Sequence, residues 1–147
     1  RVESIPTPAA IFAAFLPSTA INKAVLLIDG SEGEGGGQIV RSSLSLAIHT
    51  QQAFRIARIR ANRRPPGLRR QHLAAVRAAA EICDAQIEGD EVGSHELIFR
   101  PGKLKPAHHT FSIGTAGSTT LVLQTVLTPL LFADQPSTVR ISGGTHN

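Results

Sequence analysis

Residues 25–41 read Val25-Leu26-Leu27-Ile28-Asp29-Gly30-Ser31-Glu32-Gly33-Glu34-Gly35-Gly36-Gly37-Gln38-Ile39-Val40-Arg41. A short apolar run ending in Asp-Gly specifies a strand entering a turn. Beyond the glycines, Ile39, Val40, Leu44, Leu46, Ala47 and Ile48 predict a helix over 38–48 packed on a sheet. The same plan of strand, glycine-rich loop and helix returns later in the chain. There 110–113 reads as a strand, Gly114-Thr115-Ala116-Gly117 as a loop, and 118–132 as a helix with Pro129 late in it. A strand over 139–142 and a Gly143-Gly144 turn follow.

Between the two copies, Phe54, Ile56 and Ile59 fit a strand, and Pro65-Pro66-Gly67 punctuates the chain. Leu68, Leu73, Val76, Ala80 and Cys83 recur near a period of 3.6, a helix over 68–83. Two short strands around 87–89 and 97–99 close at Pro101-Gly102. The expectation is a mixed α/β (α+β) fold of repeated β-α-β-α-β-β units, each packing two helices on a four-stranded sheet. The first repeat takes 25–102, a second starts at 103 and is cut short at 147, and 1–24 form an unmatched N-terminal extension. A sheet stopped in mid-repeat leaves an unpaired edge, so the sequence reads as an N-terminal fragment.

Composition narrows the class. With 147 residues and 41% hydrophobic content the chain can bury a core. No apolar window approaches the roughly eighteen residues of a membrane span. One cysteine, Cys83, excludes a disulfide framework and a cysteine-rich metal site, and agrees with a reducing, cytoplasmic setting. The six histidines show no metal-ligand spacing, so no zinc is assigned. The net charge is only +4, but Arg41, Arg55, Arg58, Arg60, Arg63, Arg64, Arg69, Arg70 and Arg77 fall between residues 35 and 80, where no acid occurs. Guanidinium forks match phosphate oxygens, so an acid-free arginine block points to phosphate or nucleic acid.

Three motifs can carry chemistry. The glycine loop lets a ligand approach the backbone and leads into a helix N-terminus, which attracts anions. It lacks the Gly-Lys-Ser/Thr of a P-loop and the register of Gly-x-Gly-x-x-Gly. Glu34 would repel phosphate there unless a metal or an arginine lies between them. Second, residues 59–73 gather Arg60, Arg63, Arg64, Arg69 and Arg70 with Gln71 and His72 around a rigid turn. Third, Gly114-Thr115-Ala116-Gly117-Ser118 opens a helix that carries Gln124; tight packing and ligand contact explain its small residues equally well.

The segments IDGSEGEGGGQIVRS (28–42), IRANRRPPGLRRQHL (59–73), EGDEVGSHELIFRPG (88–102), IGTAGSTTLVLQTVL (113–127) and ISGGT (141–145) together resemble the RNA 3′-terminal phosphate cyclase family. The resemblance runs in order from 28 to 145 and excludes 1–24. It implies an ATP-dependent ligase that uses Mg2+ or Mn2+ to adenylylate a histidine. AMP then passes to an RNA 3′-phosphate, and the 2′-hydroxyl displaces it to close a 2′,3′-cyclic phosphate. Carried over by motif, Glu34 is the metal- or nucleotide-site carboxylate. Arg41, Arg60 and Arg63 bind phosphate, Gln124 contacts ATP, and Gln71 and His72 line the pocket for the RNA 3′ end. Pro65 stands where the family usually has lysine, a departure that puts one phosphate contact of the family in question. The family's nucleophilic histidine belongs to its last third, beyond Asn147, and none of the six histidines here matches it. Two other readings share the architecture: a non-catalytic cyclase-like binding protein of ribosome biogenesis, and an enolpyruvyl transferase. The Glu-Gly-Gly-Gly-Gln and Arg-Gln-His-Leu segments favour the cyclase over both.

Overall fold

The computed structural model describes residues 24–33 and 35–145. The N-terminal extension up to residue 23, and Glu34, lie outside the described residues. Strand β1 (Leu26–Asp29), helix α1 (Gly37–Thr50) and strand β2 (Phe54–Ala57) form the first unit, with β1 and β2 parallel. Parallel neighbours need a crossover, and α1 supplies it. Helix α2 (Arg70–Cys83) leads to β3 (Gln86–Glu88) and β4 (Leu97–Arg100). Strand β4 inserts antiparallel between β2 and β3, giving the sheet order β1-β2-β4-β3. The expected β-α-β-α-β-β order and four-stranded sheet are therefore present. Strand β5 (His108–Ser118), helix α3 (Thr119–Leu131) and β6 (Thr138–Gly144) then repeat the β-α-β crossover with a separate parallel pair.

One apolar core joins both parts. Register partners Phe54 and Phe99 stack with ring centroids 5.7 Å apart. Helices α1 and α2 cover them with Val40, Leu44 and Ile48, and with Val76, Ala79 and Ile82. Phe111 of β5 and Val122 and Val126 of α3 belong to the same cluster, and α1 lies against both α2 and α3. Cys83 is buried, its thiol donates to the Ala79 carbonyl at 3.2 Å, and burial pushes its pKa up, so it stays protonated.

Three expectations need correction. Ile59 is not in the second strand, because Arg58 and Arg60 take left-handed φ of 54° and 52° and break it at Ala57. Ile59 remains fully buried, its amide bonded to the His95 carbonyl. Leu68 precedes its helix rather than starting it, because its amide and carbonyl are taken by Ser94 and Gly93 of the β3–β4 connection. Gly114–Gly117 is no free loop, and Gly143-Gly144 no free turn: Gly114 pairs with Gly143 and Ser118 with Gly144, across two register shifts. Bulges there absorb the extra residues.

Candidate functional site

The glycine loop is anchored at its start. The Asp29 carboxylate accepts from the Ser31 amide (2.9 Å) and hydroxyl (2.7 Å) and pairs with Arg58, so β1 is tied to the segment leaving β2. Helix α1 then begins at Gly37 with no side-chain cap and no acid in its first turn. Its opening N–H groups carry partial positive charge, which no acid within that first turn offsets.

Residues 58–69 lie beside the glycine loop, with Arg58 on Asp29 and Asn62 reaching the Ser31 carbonyl. Gly67, at φ 77°, abuts Gly93 so closely that a Cβ would sit 2.6 Å from the Gly93 carbonyl carbon. Arg60 donates from Nη1 to the carbonyls of Pro65 (2.8 Å) and Gly67 (3.1 Å), so it ties this loop as well as bearing charge. The loop delivers Arg69 to the start of α2, where its amide donates to His72 Nδ1 at 3.0 Å, half of a capping box.

His72 is 2% exposed, and its ring lies against Gly37. Because Nδ1 accepts a main-chain hydrogen bond, the proton of the neutral ring sits on Nε2. Burial first, then the cations Arg60, Arg41 and Arg69, push its pKa down to about 4, so the ring is neutral at pH 7. Gln71 Nε2 lies 3.4 Å from His72 Nε2; turning that amide over would place its oxygen to accept the Nε2–H.

Arg41 projects from the first turns of α1. Its Nη2 donates to Gln38 Oε1 at 2.8 Å, while its buried Nε has no partner. Burial lowers the pKa of Arg41, and burial with repulsion from Arg69 and Arg63 lowers that of Arg60. The arginine block thus divides. Arg55, Arg58 and Arg77 pair with Glu96, Asp29 and Asp90. Among the described residues no carboxylate pairs with Arg41, Arg60 or Arg69, the three cations around His72. Gln124 of α3 faces Arg41 across a cavity of about 290 Å³ that Gln38, Ser42, Ser45 and Thr128 also line. Such an arrangement can hold a polyanion: three guanidiniums, a helix N-terminus and a nearby amide converge on one region.

A sequence profile of the RNA 3′-terminal phosphate cyclase family matches residues 32–147. The chain belongs to the RNA 3′-terminal phosphate cyclase family. The match takes in Arg41, Arg60, Arg63, Gln71, His72 and Gln124, so the whole cationic cluster lies in the cyclase part of the chain. Of the cyclase residues singled out from sequence, Arg41, Arg60, Gln71 and His72 gather at the α1 N-terminus, and Gln124 joins them through Arg41. Arg63 is exposed on the loop, its amide bonded to the Arg60 carbonyl. Glu34, the expected metal ligand, lies outside the described residues. Among the described residues no three His, Cys, Asp or Glu side chains cluster to hold a metal, and no helix is long and apolar enough to cross a membrane.

Three participants escaped the sequence reading. Arg69 was one cation of a block, and only the fold sets it beside His72. Gln38 holds Arg41, a contact visible in hindsight from their i, i+3 spacing. Gly37 looked like one more loop glycine, yet it is the helical residue against which His72 packs.

Proposed function

We propose that the protein carrying this chain converts an RNA 3′-terminal phosphate into a 2′,3′-cyclic phosphodiester, using ATP and passing through a histidine–AMP intermediate. The described residues form the part that grips phosphates. One observation carries this reading: Arg41, Arg60 and Arg69 lie around His72, whose ring packs on Gly37 at the α1 N-terminus, and no carboxylate among the described residues pairs with them. Like charges assembled without counterions fit an anionic ligand of several charges, such as a triphosphate or an RNA end. The partnerless Nε of Arg41 points the same way.

In the proposed reaction the histidine displaces pyrophosphate from ATP. An oxygen of the RNA 3′-phosphate then takes the adenylyl group, and the 2′-oxygen attacks the activated phosphorus as AMP leaves. Residues of this chain orient the phosphates and offset the charge that gathers on them. A divalent metal, Mg2+ or Mn2+, would supply further charge neutralisation, with Glu34 as its protein ligand. His72 is unsuited to be the nucleophile, since its Nδ1 lone pair is engaged by Arg69 and its Nε2 bears the proton. His109 is buried, with Nε2 3.0 Å from the Lys105 carbonyl, away from the arginine cluster around His72. We read β5–α3–β6 as the start of a second unit built like β1–α1–β2. The lone buried thiol Cys83 agrees with a cytoplasmic setting.

The test is cyclisation of an RNA bearing a 3′-phosphate, with ATP and Mg2+ or Mn2+, scored as phosphatase-resistant product. RNA binding without ATP consumption would instead favour the non-catalytic cyclase-like reading. Arg41→Ala is expected to weaken ATP binding about tenfold, since a hydrogen bond to a charged group contributes about 1.5 kcal/mol. Arg41→Lys recovers only part, because it restores charge without the fork. Parental affinity in Arg41→Ala would remove Arg41 from the site.

Arg63 tests the RNA side more cleanly than Arg60, whose removal also unties the loop. Arg63→Ala should lower the log–log salt slope of single-stranded RNA binding by roughly 0.7, the share of one phosphate contact. An unchanged slope would place Arg63 on a solvated face away from the RNA.

A further inference from the structure

The role of His72 is the least obvious feature of the cluster, and the inference drawn here rests on the phosphate-binding reading above. We propose that His72 is a positioning residue: its neutral ring, held by the Arg69 amide, wedges against Gly37 and so fixes the first turn of α1 and the Arg41 guanidinium.

Direct ligand contact fits poorly with a side chain that is 2% exposed. Proton transfer or nucleophilic attack fits no better, because one ring nitrogen accepts the Arg69 amide and the other carries the proton. What remains is geometry. A Cβ at Gly37 would fall 2.6 Å from His72 Cδ2 and 3.1 Å from Arg41 Nη1, so the ring and the guanidinium both lie against Gly37. Glycine is a poor choice inside a helix, and its presence at the first position of α1 is explained by the ring that occupies its side-chain space. A leucine could fill that volume but could not accept the Arg69 amide. The histidine does both, and thereby joins the start of α2 to the start of α1.

The consequence is a linked trio, Gly37, His72 and Arg41, in which the wedge acts on phosphate only through Arg41. The experiment is titration of the full protein with inorganic pyrophosphate by calorimetry, together with thermal melting, in two double-mutant cycles. In the first, Gly37→Ala is expected to lose tenfold or more in affinity. Adding His72→Ala, which frees the space, should restore affinity to the level of His72→Ala alone. In the second, His72→Leu is expected to weaken pyrophosphate binding severalfold in the parental background and not at all in Arg41→Ala, while lowering the melting temperature in both. His72→Gln, which keeps a capping-box acceptor, should retain more affinity than His72→Leu. The ring's 15N shifts should report an Nε2–H tautomer.

Additive effects in the Arg41 cycle would overturn the proposal, since a residue that merely holds the fold together weakens binding in either background. An Nδ1–H tautomer would overturn it as well. Should Gly37→Ala not fold, the His72 and Arg41 arms decide alone. Absence of pyrophosphate binding by the parental protein would fell the phosphate-site reading and this proposal with it. That outcome is distinct from intact binding that ignores His72.

Discussion

Phe99→Ala is expected to destabilise the chain by about 3–5 kcal/mol, the range for truncating a buried aromatic. Phe99 is fully buried, stacks on its register partner Phe54, and belongs to the cluster formed with the helices. The loss has two sources, the transfer of a large apolar side chain and a cavity that the paired strands β2 and β4 cannot close. Since whole domains are stable by only about 5–15 kcal/mol, one substitution removes a large fraction of the total. Phe99→Leu keeps most of the volume and should cost about 1.5 kcal/mol or less. Urea unfolding gives the measurement, with the midpoint shifting while the slope holds. A loss below about 1 kcal/mol for Phe99→Ala would mean that the site collapses freely, contrary to the close packing seen around the ring.

What the sequence disclosed follows from which forces are local. Helices α1 and α2 announced themselves through apolar spacing, because amphipathic burial writes a period of 3.6 directly into the chain. The short strands β1, β2, β3 and β4 were legible from apolar runs bounded by turn residues. Left-handed φ at Arg58 and Arg60 was not legible, since arginine carries no preference for it; the hydrogen bonds of Ile59 to His95 and Gly67 impose it from outside. The Gly114–Gly117 segment misled for a related reason. Small residues that look like loop-formers also serve a bulged strand, and only the partner glycines of β6 decide between the two.

The candidate site shows the same division. An acid-free arginine block spoke for phosphate, and that inference needed only composition. Which arginines serve was hidden, because the acids that withdraw Arg55, Arg58 and Arg77 come from Glu96, Asp29 and Asp90, outside the block in sequence. His72 was hidden further: its burial depends on Gly37, thirty-five positions away in the chain. Sequence named the ingredients, while long-range pairing decided that Arg55, Arg58 and Arg77 meet carboxylates.

The buried neutral state of His72 also dictates how stability should respond to acid. Its folded pKa, about 4, lies below the ordinary 6.5. Above pH 6.5 both folded and unfolded states carry the neutral ring, and the full stability is present. Between pH 6.5 and 4 the unfolded chain binds a proton that the folded chain refuses, so stability falls as pH falls. Below about pH 4 both states are protonated and this loss is complete. At about 1.4 kcal/mol per unit of difference, the decline should reach up to about 3 kcal/mol. Behind the refusal stand burial and three cations: Arg60 from the loop, Arg41 from α1 and Arg69 at the start of α2. Carboxylates such as Asp29, paired with Arg58, also weaken the fold as they protonate, so the parental profile alone is not diagnostic. The difference between parental protein and His72→Gln isolates the histidine, because glutamine fills the capping-box position without titrating. Urea midpoints measured from pH 7.5 to 4 should diverge below pH 6.5, with the parental curve the steeper. Saturating pyrophosphate should reduce that divergence, since an anion among the three guanidiniums offsets the repulsion that keeps the ring neutral. Parallel curves for the two proteins would show that His72 takes up its proton as readily folded as unfolded, and that it is not walled in by cations as described.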